Sequence, residues 1–365
     1  MKVLMVNYEF PPLGGGAGQA HYQLLQQYAL RKDLKADVLT SGAEAGLVQE
    51  DFADNIVIYK VGVKKRDVHY WRRSELLGWM RRAGRRYRQL VNQEEYDLVH
   101  AFFGFPSGWL SYRTADKLPY LISLRGSDVP GINPRFQLEY KVLGFVFGRI
   151  WRGAALLAAC SVGLRRRAWA FLPTVDIEVI PNGVDLERFA PGERKCDLPR
   201  LRLLTVGRLS RSKRIDLLIE AMGLLHRRRP GITLTIAGGG ALADELKRMV
   251  RQKRLQEAIK LLGFVPGEAM PRLYQGHDVL ITATAQEGMS NAMLEAMASG
   301  LPIITTRCEG VEELIADNGV VVEQAGGAAL AAAVEQLIKE PQAYENMAGA
   351  GRKRAESFTW SGAAA

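Results

Sequence analysis

The strongest constraint on the fold of this 365-residue chain is an alternation of short apolar runs with longer segments of helical periodicity. Parallel strands joined by right-handed helical crossovers produce this pattern, so it predicts doubly wound α/β sheets with helices in the intervals. The alternation runs through the chain twice. The predicted strands of the first set are residues 2–7, 36–40, 55–61, 96–101, 119–124, 155–161 and 177–180. Those of the second set are residues 201–206, 232–237, 259–265, 279–284, 302–306 and 319–322.

The repeated alternation predicts two domains, because a chain of 365 residues exceeds what one hydrophobic core usually fills. A turn-rich segment, Pro181-Asn182-Gly183-Val184-Asp185, separates the two sets of strands. We therefore predict an N-terminal domain over residues 1–183 and a C-terminal domain over residues 184–365. In an alternative assignment, the last helix packs against the N-terminal domain.

Composition excludes several classes of protein. An apolar content of 47% rules out a disordered or fibrous chain. Three cysteines, Cys160, Cys196 and Cys308, show no C-x-x-C spacing, which favours a reduced cytosolic protein without structural zinc. No run approaches the ~20 apolar residues of a membrane span. We expect a cytoplasmic location, either free or peripheral at the inner face of the cell membrane.

A glycine-rich loop, Gly14-Gly15-Gly16-Ala17-Gly18, follows the first predicted strand. Ligands of open α/β sheets gather at the carboxyl ends of strands, and glycines let the backbone approach a phosphate or sugar there. The spacing is not G-x-G-x-x-G, and Thr40 rather than an acidic residue ends the second strand, so a dinucleotide site is disfavoured. Taken alone, the loop is equally compatible with a tight strand-to-helix turn.

Two cations, Arg208 and Lys213, follow the first strand of the second set. Arg offers a planar bidentate fork and Lys a compact point charge, and both stabilise charge that develops on a leaving phosphate. Solvated surface cations are the alternative. The position at a strand end favours the diphosphate interpretation.

A pair of carboxylates, Glu287 and Glu295, is separated by seven residues around a predicted helix start. Glu287 follows the predicted strand 279–284, and Ser290 or Asn291 is expected to cap the helix that carries Glu295. Backbone N–H groups and the positive helix end between them suit a diphosphate, whereas the carboxylates suit sugar hydroxyls. The pattern indicates a nucleotide-sugar site, with an ordinary surface helix as the alternative.

Together these motifs resemble the GT-B-fold retaining glycosyltransferases of family 4, also called glycosyl transferases group 1. The most specific match is the run from Glu287 to Pro302 with its pair of glutamates, and the resemblance covers nearly the whole chain. Supporting matches are Val206-Gly207-Arg208-Leu209 with Lys213, the segment Pro181 to Asp185, and Gly14-Gly15-Gly16. The implied fold is α/β, with two Rossmann-like doubly wound parallel-sheet domains facing across a cleft.

The resemblance also implies roles for individual residues. Glu287 is implied to hold hydroxyls of the transferred sugar, and Glu295 the ribose of the nucleotide. The other implied donor contacts are Arg208 and Lys213 with the diphosphate, main-chain groups of Met289, Ser290 and Asn291 with the diphosphate and sugar, Phe264 and Val265 with the base, and Gly16 from the opposite domain.

On the acceptor side, the resemblance points to the segment Leu124-Arg125-Gly126-Ser127-Asp128. Many relatives have a histidine where this chain has Arg125, which puts the usual histidine contact in doubt. Asp128 is a further acceptor-side candidate. His100 is expected at a strand terminus, where it would line the acceptor pocket, although a lone histidine is more often structural.

The implied reaction is front-face substitution with retention, in which the leaving phosphate oxygen helps to take the acceptor proton. Neither carboxylate is a candidate base, and a two-carboxylate hydrolase is not implied. The metal-dependent GT-A enzymes hold a divalent ion with Asp-x-Asp, which this sequence lacks. No metal and no other cofactor is expected, and the nucleotide-diphosphate sugar is a substrate.

Most of the net charge of +10 lies in residues 64–92, where ten Lys or Arg stand against two acidic residues, a net +8. Trp71, Trp79 and Tyr87 are interleaved with these cations, which is typical of an amphipathic helix on an anionic membrane surface. Nucleic-acid binding is disfavoured because no nucleic-acid module is recognisable. A solvated basic helix packed on the N-terminal domain is the remaining alternative.

The sequence thus predicts a glycosyltransferase that moves a hexose-type sugar to a glycan or lipid-linked acceptor in cell-envelope or polysaccharide biosynthesis. The alternative is a basic GT-B-like protein that binds a membrane surface or nucleic acid without transferase activity. The intact set of Arg208, Lys213, Glu287 and Glu295 favours the enzyme.

Overall fold

The structure, a computed structural model, describes residues 1–65, 71–132, 137–193 and 196–365. It divides the chain into two compact units. The first unit comprises Met1–Asn182 and Trp360–Ala365, and the second comprises Gly183–Thr359. The chain therefore passes into the second unit one residue before the predicted boundary, and its last six residues belong to the first unit.

The described part of the first unit alternates strands and helices around one sheet. Its strands are β1 (Lys2–Val6), β2 (Lys35–Gly42), β3 (Leu47–Ala53), β4 (Ile56–Gly62), β5 (Leu98–Phe102), β6 (Tyr120–Leu124), β7 (Leu156–Ala159) and β8 (Glu178–Val179). Its helices before the crossing to the second unit are α1 (Gly16–Ala29), α2 (Arg73–Gln93), α3 (Ser107–Tyr112), α4 (Gln137–Arg152) and α5 (Val162–Phe171).

The second unit repeats the same construction with a second sheet. Its strands are β9 (Arg202–Val206), β10 (Thr233–Ala237), β11 (Ile259–Gly263), β12 (Val279–Ile281), β13 (Ile303–Thr306) and β14 (Gly319–Val322). Its helices are α6 (Ile215–Arg228), α7 (Ala243–Gln252), α8 (Met270–Gln275), α9 (Asn291–Ala298), α10 (Val311–Leu314), α11 (Gly327–Lys339) and α12 (Pro341–Ala355). The chain ends with α13 (Trp360–Ala364), which packs against α1 in the first unit.

Both sheets confirm the predicted doubly wound topology. The strand order is β3-β4-β2-β1-β5-β6-β7-β8 in the first sheet and β11-β10-β9-β12-β13-β14 in the second. The order reverses between β1 and β5 in the first sheet, and between β9 and β12 in the second. In open α/β sheets, ligands bind in the crevice outside the strand ends at such a switch point.

The first sheet differs from the prediction at its edge. The prediction placed a helix between the second and third strands, whereas Leu47–Ala53 forms β3 and pairs antiparallel with β4. This sheet is therefore mixed rather than wholly parallel. The sequence prediction missed β3 because three polar residues, Gln49 to Asp51, interrupt its apolar residues and none of its residues is buried, as an edge strand permits, so the segment lacks the apolar run of the buried strands.

Each unit has its own apolar core beneath its helices. In the second unit, Leu203, Leu234 and Ile281 lie in one buried cluster with residues of α6 and α11. In the first unit, Trp79 of α2 and Trp151 of α4 are among the largest fully buried side chains. Burial of these apolar side chains is the main driving force that holds the strand ends in fixed positions. Within the described part of the chain, no helix has the length and apolarity to cross a membrane.

Candidate functional site

The candidate site of the second unit lies at its switch point, outside the carboxyl ends of β9 and β12. A 3₁₀ turn at Arg211–Lys213 follows β9, and Glu287 lies in the loop that follows β12. The Lys213 ammonium and the Glu287 carboxylate form an ion pair, and each side chain is about three-quarters shielded from solvent. The two loops are also tied through the backbone, because the Ala285 amide donates to the Ser212 carbonyl at 2.8 Å.

The loop after β9 packs against a glycine loop, residues 238–240, that follows β10. Gly238 has a φ of +142°, and a Cβ atom there would stand 1.9 Å from the carbonyl oxygen of Gly207. The Leu209 amide donates to the Gly239 carbonyl at 2.8 Å, which closes the contact between the loops. Residues 238–240 were not among the predicted site residues, although three consecutive glycines after a strand are a signal that a close backbone approach is needed.

Arg208 lies on the same loop as Lys213, with its side chain exposed to solvent. Arg208 and Lys213 thus both lie in the loop at the carboxyl end of β9. Two cations so placed can bind a dianionic diphosphate and stabilise charge on its oxygens.

The helix start predicted between the two glutamates is confirmed, and Ser290 is its N-cap. The Ser290 hydroxyl oxygen accepts a hydrogen bond from the Met293 amide at 3.3 Å, and α9 begins at Asn291. Met289 is buried just before the cap. The positive end of the α9 dipole therefore lies in the segment that joins Glu287 to Glu295, and such an end favours a bound anion.

Glu295 lies one turn into α9 and is half-buried. The Tyr274 hydroxyl donates to the Glu295 carboxylate at 2.8 Å. Burial raises the pKa of Glu295 to about 7, against the opposing effects of the Tyr274 hydrogen bond and the Arg188 charge. The carboxylate therefore changes charge near neutral pH. The sequence prediction missed Tyr274, because no local motif marks a tyrosine in the preceding helix α8 as a partner of Glu295.

Phe264 and Val265, the predicted contacts to the base, follow directly after β11. The Gly263 carbonyl before them accepts a hydrogen bond from the Gly238 amide at 2.7 Å. This hydrogen bond joins the start of the Phe264 segment to the glycine loop 238–240, which contacts the loop that carries Arg208. The Phe264 ring is exposed, as a planar surface for an aromatic ligand must be.

Gly16, the predicted donor contact of the other domain, is the first residue of α1 in the first unit. Its loop wraps around Glu9, whose carboxylate accepts a hydrogen bond from the Gly15 amide at 3.1 Å. Gly14 has a φ of +103°, and a Cβ atom there would stand 2.6 Å from the Glu9 Cβ. The glycines are thus needed for a close turn, and a side chain of the protein already occupies part of the positive end of α1.

Arg125 and Asp128 lie in the loop after β6 of the first unit. The Asp128 carboxylate accepts hydrogen bonds from the Gly104 amide at 2.7 Å and the Arg125 amide at 2.9 Å, and Asp128 is buried. Burial raises its pKa, against these two bonds. Asp128 therefore fixes the loop, while the Arg125 guanidinium donates to the Asn182 side chain at 2.8 Å and lies 4.7 Å from the centre of the Phe102 ring.

His100 lies inside β5 rather than at its end, which corrects the predicted strand terminus. Its Nε2 lies 2.8 Å from the Ser123 hydroxyl, and its ring stacks on Phe102. Burial and the nearby Arg125 charge lower the pKa of His100 to about 3, so the ring is neutral at physiological pH. His100, Arg125 and Asn182 line a cavity of about 280 Å³ in the first unit, so the two acceptor-side candidates His100 and Arg125 lie at one cavity.

Within the basic segment 64–92, residues 73–92 belong to α2, residues 64–65 and 71–72 precede the helix, and residues 66–70 lie outside the described residues. Its aromatic side chains Trp71, Trp79 and Tyr87 are buried in the first unit. Lys65 is also buried, and pairs with Glu75 at 3.0 Å. The aromatic groups that suggested an interfacial helix thus belong to the core, as the alternative of a basic helix packed on the domain requires.

The comparison with protein families agrees with the geometry of both units. A family model described as glycosyltransferase family 4 matches residues 14–188, and one described as glycosyl transferases group 1 matches residues 192–354. Together the two models span nearly the whole chain.

Two curated relatives are informative. The chain is 28% identical to glycogen synthase of Mycobacterium tuberculosis, in a match that covers 99% of this chain and 92% of the relative. It is 32% identical to a GDP-mannose-dependent α-(1-6)-phosphatidylinositol monomannoside mannosyltransferase of Mycolicibacterium smegmatis, over 58% of this chain and 60% of the relative.

Two solved structures have the same fold. Sucrose-phosphate synthase from Thermosynechococcus elongatus superposes with a TM-score of 0.85 at 19% identity, over 100% of this chain and 96% of that protein. HepE of Anabaena in complex with UDP-glucose superposes with a TM-score of 0.76 at 20% identity, over 100% and 97% of the two chains. The protein belongs to the GT-B-fold, nucleotide-sugar-dependent glycosyltransferases of group 1, also described as family 4.

Proposed function

We propose that this glycosyltransferase transfers a hexose-type sugar, with retention of its anomeric configuration, from a nucleotide-diphosphate sugar to a glycan or lipid-linked acceptor. The observation that carries the proposal is the Lys213–Glu287 ion pair at the switch point of the second unit, followed along the chain by helix α9 with the half-buried Glu295. A sugar nucleotide offers one chemical partner to each of these groups: an anionic diphosphate, sugar hydroxyls and ribose hydroxyls.

In the proposed complex, the diphosphate replaces Glu287 as the partner of Lys213. The ammonium of Lys213 and the guanidinium of Arg208 then neutralise the two phosphates together with the positive end of α9. Glu287, released from the ion pair, accepts hydrogen bonds from hydroxyls of the transferred sugar. The ion pair of the free protein thus holds both side chains close to the positions that they occupy in the complex.

Glu295 is proposed to accept hydrogen bonds from the ribose hydroxyls, and the exposed Phe264 ring to contact the base. The hydrogen bond from Tyr274 fixes the Glu295 carboxylate in one orientation, so less side-chain entropy is lost when ribose binds. Because Glu287 and Glu295 each hold hydroxyls, neither is assigned as a base or a nucleophile.

The proposed reaction is a front-face substitution. The bond between the anomeric carbon and the leaving phosphate oxygen breaks, the bond from the acceptor oxygen to the same face of that carbon forms, and the acceptor proton passes to the leaving phosphate. Arg208 and Lys213 stabilise the negative charge that develops on the nucleoside diphosphate. With two cations in this role, the proposed reaction needs no divalent metal.

The acceptor is proposed to bind in the first unit, near Arg125. A guanidinium beside a cavity that also holds the neutral His100 suits an acceptor with hydroxyl groups and an anionic or phosphorylated part. The mycolicibacterial relative is named as a phosphatidylinositol monomannoside mannosyltransferase, which supports a glycan or lipid-linked acceptor and a role in cell-envelope or polysaccharide biosynthesis. A location in the cytoplasm, at the inner face of the membrane, fits this role.

A panel of UDP-, GDP- and ADP-sugars tests the proposal. Thermal unfolding with each donor, followed by measurement of slow donor hydrolysis, is expected to show one nucleotide that stabilises the protein with increasing concentration and is cleaved. Proton NMR of the first sugar released should show the anomer of the donor, and a chelator should leave the rate unchanged. Stabilisation without cleavage or transfer would instead indicate a sugar-nucleotide-binding protein, and inversion would exclude the proposed stereochemistry.

A further inference from the structure

The most exposed apolar surface of the first unit lies on α4 rather than on the basic helix α2. Leu138, Val142 and Phe145 are 69%, 62% and 64% exposed, and Leu143, on another side of the helix, is 42% exposed. The spacing of four and then three residues places Leu138, Val142 and Phe145 on one face of the helix. Three large apolar side chains in one exposed row are unusual for a helix that is anchored in a core.

The C-terminal half of α4 is anchored in the core of the first unit, whereas the described residues of its N-terminal half, which carry the stripe, are exposed or half-buried. Phe147, Ile150 and Trp151 are buried, and the Trp151 ring lies 5.3 Å from the Phe171 ring of α5. The helix is therefore fixed on the unit with its apolar stripe turned outward. A surface of this kind needs a partner that receives apolar side chains.

The charge around the stripe identifies that partner. In sequence, α4 and α5 together hold six Lys or Arg against the single acidic residue Glu139. Lys141, Arg149 and Arg152 of α4 are exposed, and so are Arg166 and Arg167 of α5. A stripe of apolar side chains with cations around it matches the boundary of an anionic lipid layer, where the acyl chains lie below a negatively charged surface.

The position of the stripe relates it to the proposed acceptor site. The Tyr140 hydroxyl donates to the Ser127 carbonyl at 3.1 Å, which ties the first turns of α4 to the loop that carries Arg125. The exposed stripe begins in these same turns. A lipid layer in contact with Leu138 and Val142 would therefore lie at the same end of the unit as Arg125.

We propose that the first unit docks on an anionic lipid surface through the apolar stripe of α4 and the exposed cations of α4 and α5. The contribution of this surface to acceptor use rests on the proposed function, whereas docking itself does not. The apolar contact comes from Leu138, Val142 and Phe145. The basic face of α2, whose aromatic residues are buried, adds only long-range attraction.

Sedimentation with vesicles tests the docking surface. The probes are vesicles of equal parts phosphatidylglycerol and phosphatidylcholine, and vesicles of phosphatidylcholine alone. The wild-type protein is expected to sediment with the anionic vesicles. The triple substitution Leu138→Ser, Val142→Ser and Phe145→Ser should weaken this binding by roughly tenfold or more, since it removes most of the apolar area that enters the lipid.

A matched control uses three exposed leucines elsewhere in the first unit. Leu30, Leu47 and Leu77 are 49–79% exposed, and their triple replacement by Ser should leave vesicle binding unchanged. Because Leu77 lies on α2, this control also compares the two helices. Equal loss in both triple variants, or wild-type binding by the α4 variant, would overturn the proposal.

Two further measurements separate the remaining outcomes. Hydrolysis of the sugar nucleotide in the absence of vesicles should be the same in the α4 variant and the wild type, which shows that the variant is folded and that a failed function and a failed docking surface are distinguishable. Light scattering gives the oligomeric state. If the α4 substitutions dissociate an oligomer and leave vesicle binding intact, the stripe is an interface between copies of the chain and the lipid proposal is wrong.

Discussion

Both units have a doubly wound sheet with a switch point, but the polar groups at their strand ends have different partners. In the second unit, Lys213 and Glu287 pair with each other, and solvent reaches both side chains. In the first unit, Asp128 is buried and bound to two backbone amides, and His100 is buried against Ser123. The comparison teaches that equal topology fixes where a ligand can bind, whereas the partners of the polar groups decide which groups remain available to it.

Of the effects that this comparison predicts, the largest is a loss of donor cleavage when Lys213 is replaced. Replacement of Lys213 by Ala should lower the rate of donor cleavage by roughly a hundredfold or more, since it removes a charge that stabilises the leaving diphosphate. The measurement is the turnover number for donor hydrolysis at saturating sugar nucleotide. Arg211→Ala, in the same turn but exposed, is the control and should change the rate less than about threefold. Similar losses in both variants would mean that the turn, and not the ammonium, is responsible.

The next effect is expected at Glu295. Replacement of Glu295 by Ala removes a charged hydrogen-bond acceptor worth about 1.5–3 kcal/mol, so the dissociation constant of the nucleoside diphosphate should rise by roughly 10–100-fold. Titration calorimetry with the nucleotide found in the donor panel measures this. Tyr274→Phe, which removes only the supporting hydroxyl, should weaken binding by a smaller factor. Unchanged affinity in the Glu295 variant would remove this residue from the donor site.

A substitution in the first unit is expected to act on stability rather than chemistry. Asp128→Ala leaves the Gly104 and Arg125 amides without their partner and should lower the free energy of unfolding by about 2 kcal/mol. Denaturant unfolding, followed by fluorescence, measures the change. Donor hydrolysis by the folded variant should stay close to wild type. A large loss of hydrolysis at unchanged stability would show that the loop acts in the reaction.

The smallest effect concerns pH. Because burial raises the pKa of Glu295 to about 7, the carboxylate is ionised above that pH and protonated below it. Ribose hydroxyls donate to the ionised form, so nucleotide affinity should fall as pH decreases through 7, by up to roughly tenfold per pH unit below the pKa of the free protein. Calorimetry between pH 6 and 8 follows the change. The Glu295→Ala variant should lose this dependence, and its persistence would assign the titration to another group.

The sequence predicted those parts of the molecule that depend on local patterns. The buried strands are visible in the sequence as apolar runs. The N-cap at Ser290 depends on a short-range hydrogen bond that serine favours. Strand β3 was not predicted, because a strand at the edge of a sheet needs no apolar run. The sequence also did not predict partners that lie far apart along the chain. Tyr274 contacts Glu295, and Gly238 contacts Gly207, only because the fold brings separate segments together.

Residues 64–92 show a further limit of prediction from sequence. Cations interleaved with aromatic groups describe both a helix that lies on a lipid layer and a helix that buries its aromatic face in its own domain. Only the packing of Trp79 and Tyr87 distinguishes the two. On α4, by contrast, part of the apolar surface lies outside the core.

The return of α13 to the first unit has a consequence for the order of folding. Trp360 is buried there, and the Arg31 side chain at the end of α1 donates to the Ala364 carbonyl at 3.4 Å. The first unit is therefore discontinuous in sequence, whereas the second is a single stretch, Gly183–Thr359. During synthesis the ribosome makes most of the first unit early, but the second unit can be complete before α13 emerges. The unit that begins first is thus the last to acquire all of its residues.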